Sequence, residues 1–149
     1  MIILSKNSFV NKMTALIILL GAVSFGAGFG FAKISYPPVH VLLSSETDIL
    51  GQTFEYPKSA PKITAAIVTM KPGEETGLHK HDVPLFAYVL EGEVTVNYGA
   101  GRIKVYKKGD AFIEAYQSPH NGKNTSKGIT RILAVFAGSD GIKNTELVK

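Results

Sequence analysis

From Tyr36 onward the chain reads as short β-rich runs separated by glycine-bearing turns, and this pattern restricts the fold more than any other feature. The runs are VHVLL, ITAAIVTM, FAYVL, EVTVNY, RIKVY, AFIEA and RILAVF. Several alternate with period two, as in Val94, Val96 and Tyr98 against Glu93, Thr95 and Asn97. Successive side chains of a strand point to opposite faces, so this alternation marks strands with one buried face. No segment of this region carries a convincing helical period. The punctuating segments KPGEETG, EGE, GAG and KKGD supply the turns, and YGAGR reads as a hairpin joining Val94–Tyr98 to Arg102–Tyr106. Many short strands at regular spacing predict an all-β sandwich or barrel. A chain of 149 residues is long enough to bury one such core.

The N-terminus follows another rule. Lys6 and Lys12 precede an uncharged run from Met13 to Ala32, which opens as MTALIILLGAV and loosens into SFGAGFGFA. A basic start, an apolar centre and small residues before a polar segment make an export signal, with cleavage expected after Ala32. The rival reading is an uncleaved anchor helix, since 20 residues can span a hydrocarbon core of about 30 Å. Either reading places the domain outside the cytoplasm, in the periplasm or another extracytoplasmic space. In the second, residues 13–32 tether it to the inner membrane, and the membrane is a partner only through that segment. Residues 1–32 are thus a signal or anchor and 33–62 an extended segment with a first strand. Residues 63–137 form the barrel, and 138–149 a polar tail, loose or in a short surface turn.

Composition removes several function classes. The chain has no cysteine, which excludes disulfides, thiolate metal sites and cysteine nucleophiles. Its formal charge is +4, but two of the lysines lie in the N-terminal leader, and no basic block carries interleaved aromatics. Nucleic acid is therefore not an expected partner. No hydrolytic triad, phosphate loop or nucleotide fingerprint is present.

Chemistry concentrates in GEETGLHKHDVPLFAYVLEGE, from Gly73 to Glu93, which holds two of the four histidines. In a strand, residues i and i+2 share a face, so His79 and His81 project together while Lys80 points away. Two imidazoles on one face can reach a common ion at about 2.0–2.1 Å. His120 is the candidate third ligand, and His40, after Pro37-Pro38, has no assigned role.

The spacing of Gly73, five residues, His79, Lys80, His81 and, further on, Gly92 resembles the first motif of the cupin family. Gly109, His120 and Asn124 likewise match the glycine, histidine and asparagine of the family's second motif. The resemblance covers about Ile63 to Phe136. It implies a double-stranded β-helix, or jelly-roll barrel, with a divalent metal held by His79, His81 and His120 at the barrel mouth. The family takes iron, zinc, manganese, nickel or copper at such sites, and cupins commonly form homodimers; the first strand, around Val39–Leu43, is a candidate pairing edge.

Three positions depart from the pattern. Ala115 replaces the proline and Gln117 the glycine of the second motif. Leu85 stands where the family places a metal-binding glutamate. Without that carboxylate, an ion on three neutral imidazoles keeps its full positive charge, is a stronger Lewis acid and attracts oxygen ligands. Such an arrangement resembles the three-histidine iron sites of some cupin-type dioxygenases. A carboxylate from Glu114 or Asp82, or an amide oxygen from Gln117, would be substitutes. Gln117 and Asn124 are also candidates to orient the ligating imidazoles. Leu85, Tyr88, Phe112 and Tyr116 are candidate pocket residues. Two functions follow. One is an exported metal-binding cupin that takes a small oxygen-bearing molecule and acts as a dioxygenase-like oxidoreductase. The other is a non-catalytic cupin that binds a small molecule at a decayed metal site.

Overall fold

In the computed structural model, residues 37–149 are described, and the expected signal or anchor segment lies outside them. Nine strands follow in chain order. They are β1 (Pro61–Met70), β2 (His79–Lys80), β3 (Leu85–Glu91), β4 (Glu93–Asn97), β5 (Ile103–Lys107), β6 (Ala111–Ile113), β7 (Asn121–Asn124), β8 (Thr130–Ser139) and β9 (Glu146–Leu147). The described residues contain no helix, so none there could cross a membrane.

The pairing is that of a jelly roll. One sheet runs β1-β8-β3-β6, a second β5-β4-β7, and β2 pairs with β9. All named pairings are antiparallel. Period-two alternation decides what the two larger sheets enclose. On β3, Leu85, Ala87 and Val89 are buried while Phe86 and Tyr88 face the other way; on β4, Val94 and Val96 are buried. Ala87, Val89, Val94 and Val96 meet Tyr98, Tyr106, Phe112 and Ala115 in one apolar cluster. A second cluster, of Val83, Leu85, Ala134 and Phe136, packs around the start of β3.

The β4–β5 hairpin closes through Gly99-Ala100-Gly101, all three at positive φ. β5 is an edge, and Lys104, Lys107 and Lys108 stand exposed on or beside it, where charge blocks pairing with another chain. Gly92 turns the chain from β3 into β4 at φ 75°, and a Cβ there would sit 2.5 Å from Thr130 Oγ1 and 2.7 Å from the Ile129 carbonyl oxygen. Glycine is required at this turn by both dihedral and space.

Two expectations are corrected. VHVLL forms no strand; the described chain before β1 has only an isolated bridge between Thr47 and Thr53. The chain that follows is held by a turn around Asp48, whose Oδ1 accepts from the Leu50 and Gln52 amides and whose Oδ2 accepts from the Tyr116 amide. Val39–Leu43 therefore offers no strand for pairing, whereas β1 is a long edge strand that leaves Ile63 and Ile67 exposed. The tail is not loose either, because Glu146 and Leu147 pair with Lys80 and His79.

Candidate metal centre

β2, the loop after it and the turn before β7 bring the histidines together. His79 and His120 exchange backbone hydrogen bonds, at 3.0 Å from the His79 amide and 2.8 Å from the His120 amide. His81 is placed by a bridge to Tyr116, in which the Gln117 amide donates to the His81 carbonyl at 2.8 Å. The ring centroids lie 4.4 Å apart for His79–His120, 4.9 Å for His79–His81 and 5.0 Å for His81–His120. One ligand nitrogen from each ring lies within 4.8 Å of the other two, and all three residues are buried.

Backbone carbonyls set the tautomers. Nδ1 of His79 donates to Gly77 O at 2.8 Å, Nδ1 of His81 to Asn144 O at 2.9 Å, and Nδ1 of His120 to Ser118 O at 2.9 Å. A carbonyl oxygen only accepts, so each Nδ1 carries the proton and each Nε2 keeps its lone pair for the centre. Burial holds all three imidazoles below their ordinary pKa, His81 down to about 4, so they are neutral at pH 7. Neutral, oriented imidazoles are what a divalent ion requires. A further observation fits the same group: Nε2 of His120 is buried without a hydrogen-bond partner. An orphaned acceptor in an interior is costly, and an ion shared with the other rings would satisfy it.

Glu114 is the other buried polar group beside the cluster. It lies just beyond β6, and its amide donates to the Leu85 carbonyl at 2.9 Å. Its Oε1 accepts from the Ala115 amide at 2.8 Å, and its Oε2 lies 3.8 Å from His120 Nε2. The Tyr98 hydroxyl meets Tyr106 Oη at 2.9 Å. Burial pushes the Glu114 carboxyl above its usual range, opposed by the Ala115 amide and Tyr98.

The histidines stand at one wall of a cavity of about 240 Å³. Leu85, Ala87, Val96, Phe112, Ile132 and Phe136 supply much of its apolar lining, and no lysine or arginine among the described residues reaches it. Leu85 and Phe112 thus occupy the expected place. Tyr88 does not, because it is three residues from Leu85 and falls on the opposite face of β3. Tyr116 is also absent from the lining, and Gln117 Nε2 donates to its hydroxyl at 3.3 Å. Gln117 and Asn124 orient no imidazole. Asn124 ties the turn after β7, donating to Met70 O and Gly128 O and accepting from the Ser126 amide and hydroxyl. Asp82 points to Lys80, which it meets at 3.0 Å. The carbonyls of Gly77, Ser118 and Asn144 do the orienting instead, and no side-chain pattern signals a backbone carbonyl.

Residues 66–136 match the family model described as Cupin domain. With the jelly-roll pairing and the three-histidine cluster, these residues form a domain of the cupin superfamily. Among solved structures, the chain is similar to a Lactobacillus farciminis oxalate decarboxylase in complex with formate, at TM-score 0.51 and 24% identity. That match covers 58% of this chain and 26% of the other, so the chain spans about a quarter of the enzyme's length. A Klebsiella pneumoniae protein with a double-stranded β-helix domain matches at TM-score 0.50 and 19% identity, over 64% of this chain and 90% of its own. At these identities the likeness is one of fold. Among curated protein sequences, none matches.

Proposed function

We propose that this cupin domain binds a divalent metal ion on His79, His81 and His120 and presents it to a small oxygen-bearing molecule in the barrel mouth. The observation that carries this reading is the set of three buried imidazoles, each with Nδ1 fixed by a backbone carbonyl. A decayed site would have no reason to keep three rings in the ligating tautomer around one point. A bound ion supplies Lewis acidity to an oxygen donor of the ligand. The chain supplies the rest. The carbonyls hold the imidazoles in place, and the apolar walls take the body of the ligand and limit water. The cavity's volume and its lack of a cationic side chain among the described residues favour a small molecule with an apolar body and one oxygen-bearing end, rather than a compact dianion. Dioxygenase-like oxidation of such a molecule is the reaction we propose. We further propose export through the N-terminal apolar segment, and homodimer formation through the β1 edge, where Ile63 and Ile67 are exposed.

The test is elemental analysis of the purified full-length protein and of His81→Ala. Near-stoichiometric metal, lost in the variant, is the expected result. Wild-type protein that holds no metal and takes up none on titration would overturn the reading. Oxygen consumption with small monocarboxylates and phenols, followed in the same preparations, separates a dioxygenase from a binding protein.

A further inference from the structure

Two of the three departures from the cupin motifs, Leu85 and Ala115, both touch Glu114. Leu85 replaces the family's glutamate, and β3 pairs with β6 so that Phe86 faces Ile113 and Ala87 faces Phe112. The same register sets Glu114 directly across from Leu85, and the Glu114 amide donates to the Leu85 carbonyl at 2.9 Å. Residues paired this way send their side chains to the same face, with Cβ atoms about 4.5–5.5 Å apart. Leu85 and Glu114 both line the cavity. A carboxylate one strand over therefore reaches the region that a glutamate at 85 would have reached.

Ala115 completes the set. Its amide donates to Glu114 Oε1 at 2.8 Å. Proline, which the family motif has at this position, carries no N–H and could not make that bond. A glutamate at 114 and a non-proline at 115 thus suit each other. Oε2 of the same carboxylate faces His120 Nε2 at 3.8 Å. The His120 ring already spends its proton on Ser118 O, so that Nε2 is an acceptor, and it has no hydrogen-bond partner. An acceptor nitrogen facing a buried carboxyl oxygen leaves a place for one cation between them, a proton in the metal-free protein and the metal ion once it is bound. A separation of 3.8 Å falls within the reach of two donors on one ion at about 2.1 Å each.

We propose that Glu114 is the fourth protein donor of the metal site, taking over on β6's side the place that Leu85 leaves on β3. This rests on the three-histidine site proposed above. The Ala115 amide positions the carboxylate. The site then carries one negative charge, as a standard cupin centre does, but on a different strand.

The experiment is a zinc titration of the full-length protein against a competing chelator, comparing wild type with Glu114→Gln. The variant keeps the side chain's size and loses its charge. Expected is one zinc per chain in both, with affinity at least about tenfold weaker in the variant. Affinities within about twofold, in variants folded by circular dichroism, would overturn the assignment of Glu114 while leaving the histidine site standing. A wild type that binds no zinc would overturn both. A measurement on the wild type alone decides the matter if Glu114→Gln does not fold. The infrared difference spectrum on adding one equivalent of zinc should show a buried carboxyl band replaced by a coordinated carboxylate, and a spectrum without any carboxyl change would refute the proposal.

Discussion

Gly92 and Gly73 offer a comparison in which backbone strain is held constant and space is not. Their φ angles are 75° and 77°. A Cβ on Gly73 would meet nothing within 4 Å, whereas one on Gly92 would meet Thr130 Oγ1 at 2.5 Å, Ile129 O at 2.7 Å and Thr130 Cα at 2.9 Å. Alanine in the left-handed region costs roughly 1–2 kcal/mol, and the lost entropy of the unfolded glycine returns about 0.4–1 kcal/mol of it. Gly73→Ala should therefore destabilise by about 1 kcal/mol. Gly92→Ala must also push β4 away from Thr130, an overpacking cost of about 1–3 kcal/mol. Thr130 Oγ1 both accepts from the Glu93 amide at 3.1 Å and donates to the Glu93 carbonyl at 2.8 Å. Disturbing that exchange adds about 1 kcal/mol. The expected total for Gly92→Ala is about 3–5 kcal/mol. Urea unfolding of the two full-length variants, followed by far-ultraviolet circular dichroism, measures the difference. Equal midpoints would refute the argument that close approach, and not φ alone, demands glycine at 92.

Two further predictions concern pH and strain. Burial holds His81 at about 4, against an ordinary 6.5, so between those values the unfolded chain binds a proton that the folded chain refuses. Stability of the metal-stripped protein should be full above about pH 6.5 and fall as pH drops toward 4, by about 3 kcal/mol from His81 alone. Urea titrations of chelator-treated protein at the two ends of that window check it, and a flat profile would contradict the burial assigned to the ring. Gln117 holds φ at 56° where the family motif has glycine. Gln117→Gly should be neutral or stabilising by up to about 1 kcal/mol, read from the same unfolding midpoints. A loss of more than about 0.5 kcal/mol would show that its contact with Tyr116 outweighs the strain.

The β-character and the His79–His81 pair were legible because both obey a local rule. Period two fixes which neighbours share a face without reference to the rest of the molecule. The same rule could have excluded Tyr88 from the pocket, since residues 85 and 88 differ by an odd number. What failed were expectations that depended on long-range partners. VHVLL has strand composition, but no neighbouring strand pairs with it, and the Asp48 turn claims the chain that follows. The polar tail looked loose until β9 found β2. Asn124 and Gln117 lie near His120 in the chain yet orient no imidazole, whereas Asn144, far along the chain, provides one of the three carbonyls.

The sequence by itself determined an all-β domain, the shared face of His79 and His81, and the absence of a glutamate at 85. Strand alternation and residue identity suffice for those. Only the tertiary structure decided that His120 joins the pair and that Glu114 stands opposite Leu85. Which residue faces which across two strands depends on register, and register is settled by the packing of whole sheets rather than by any residue's neighbours in the chain.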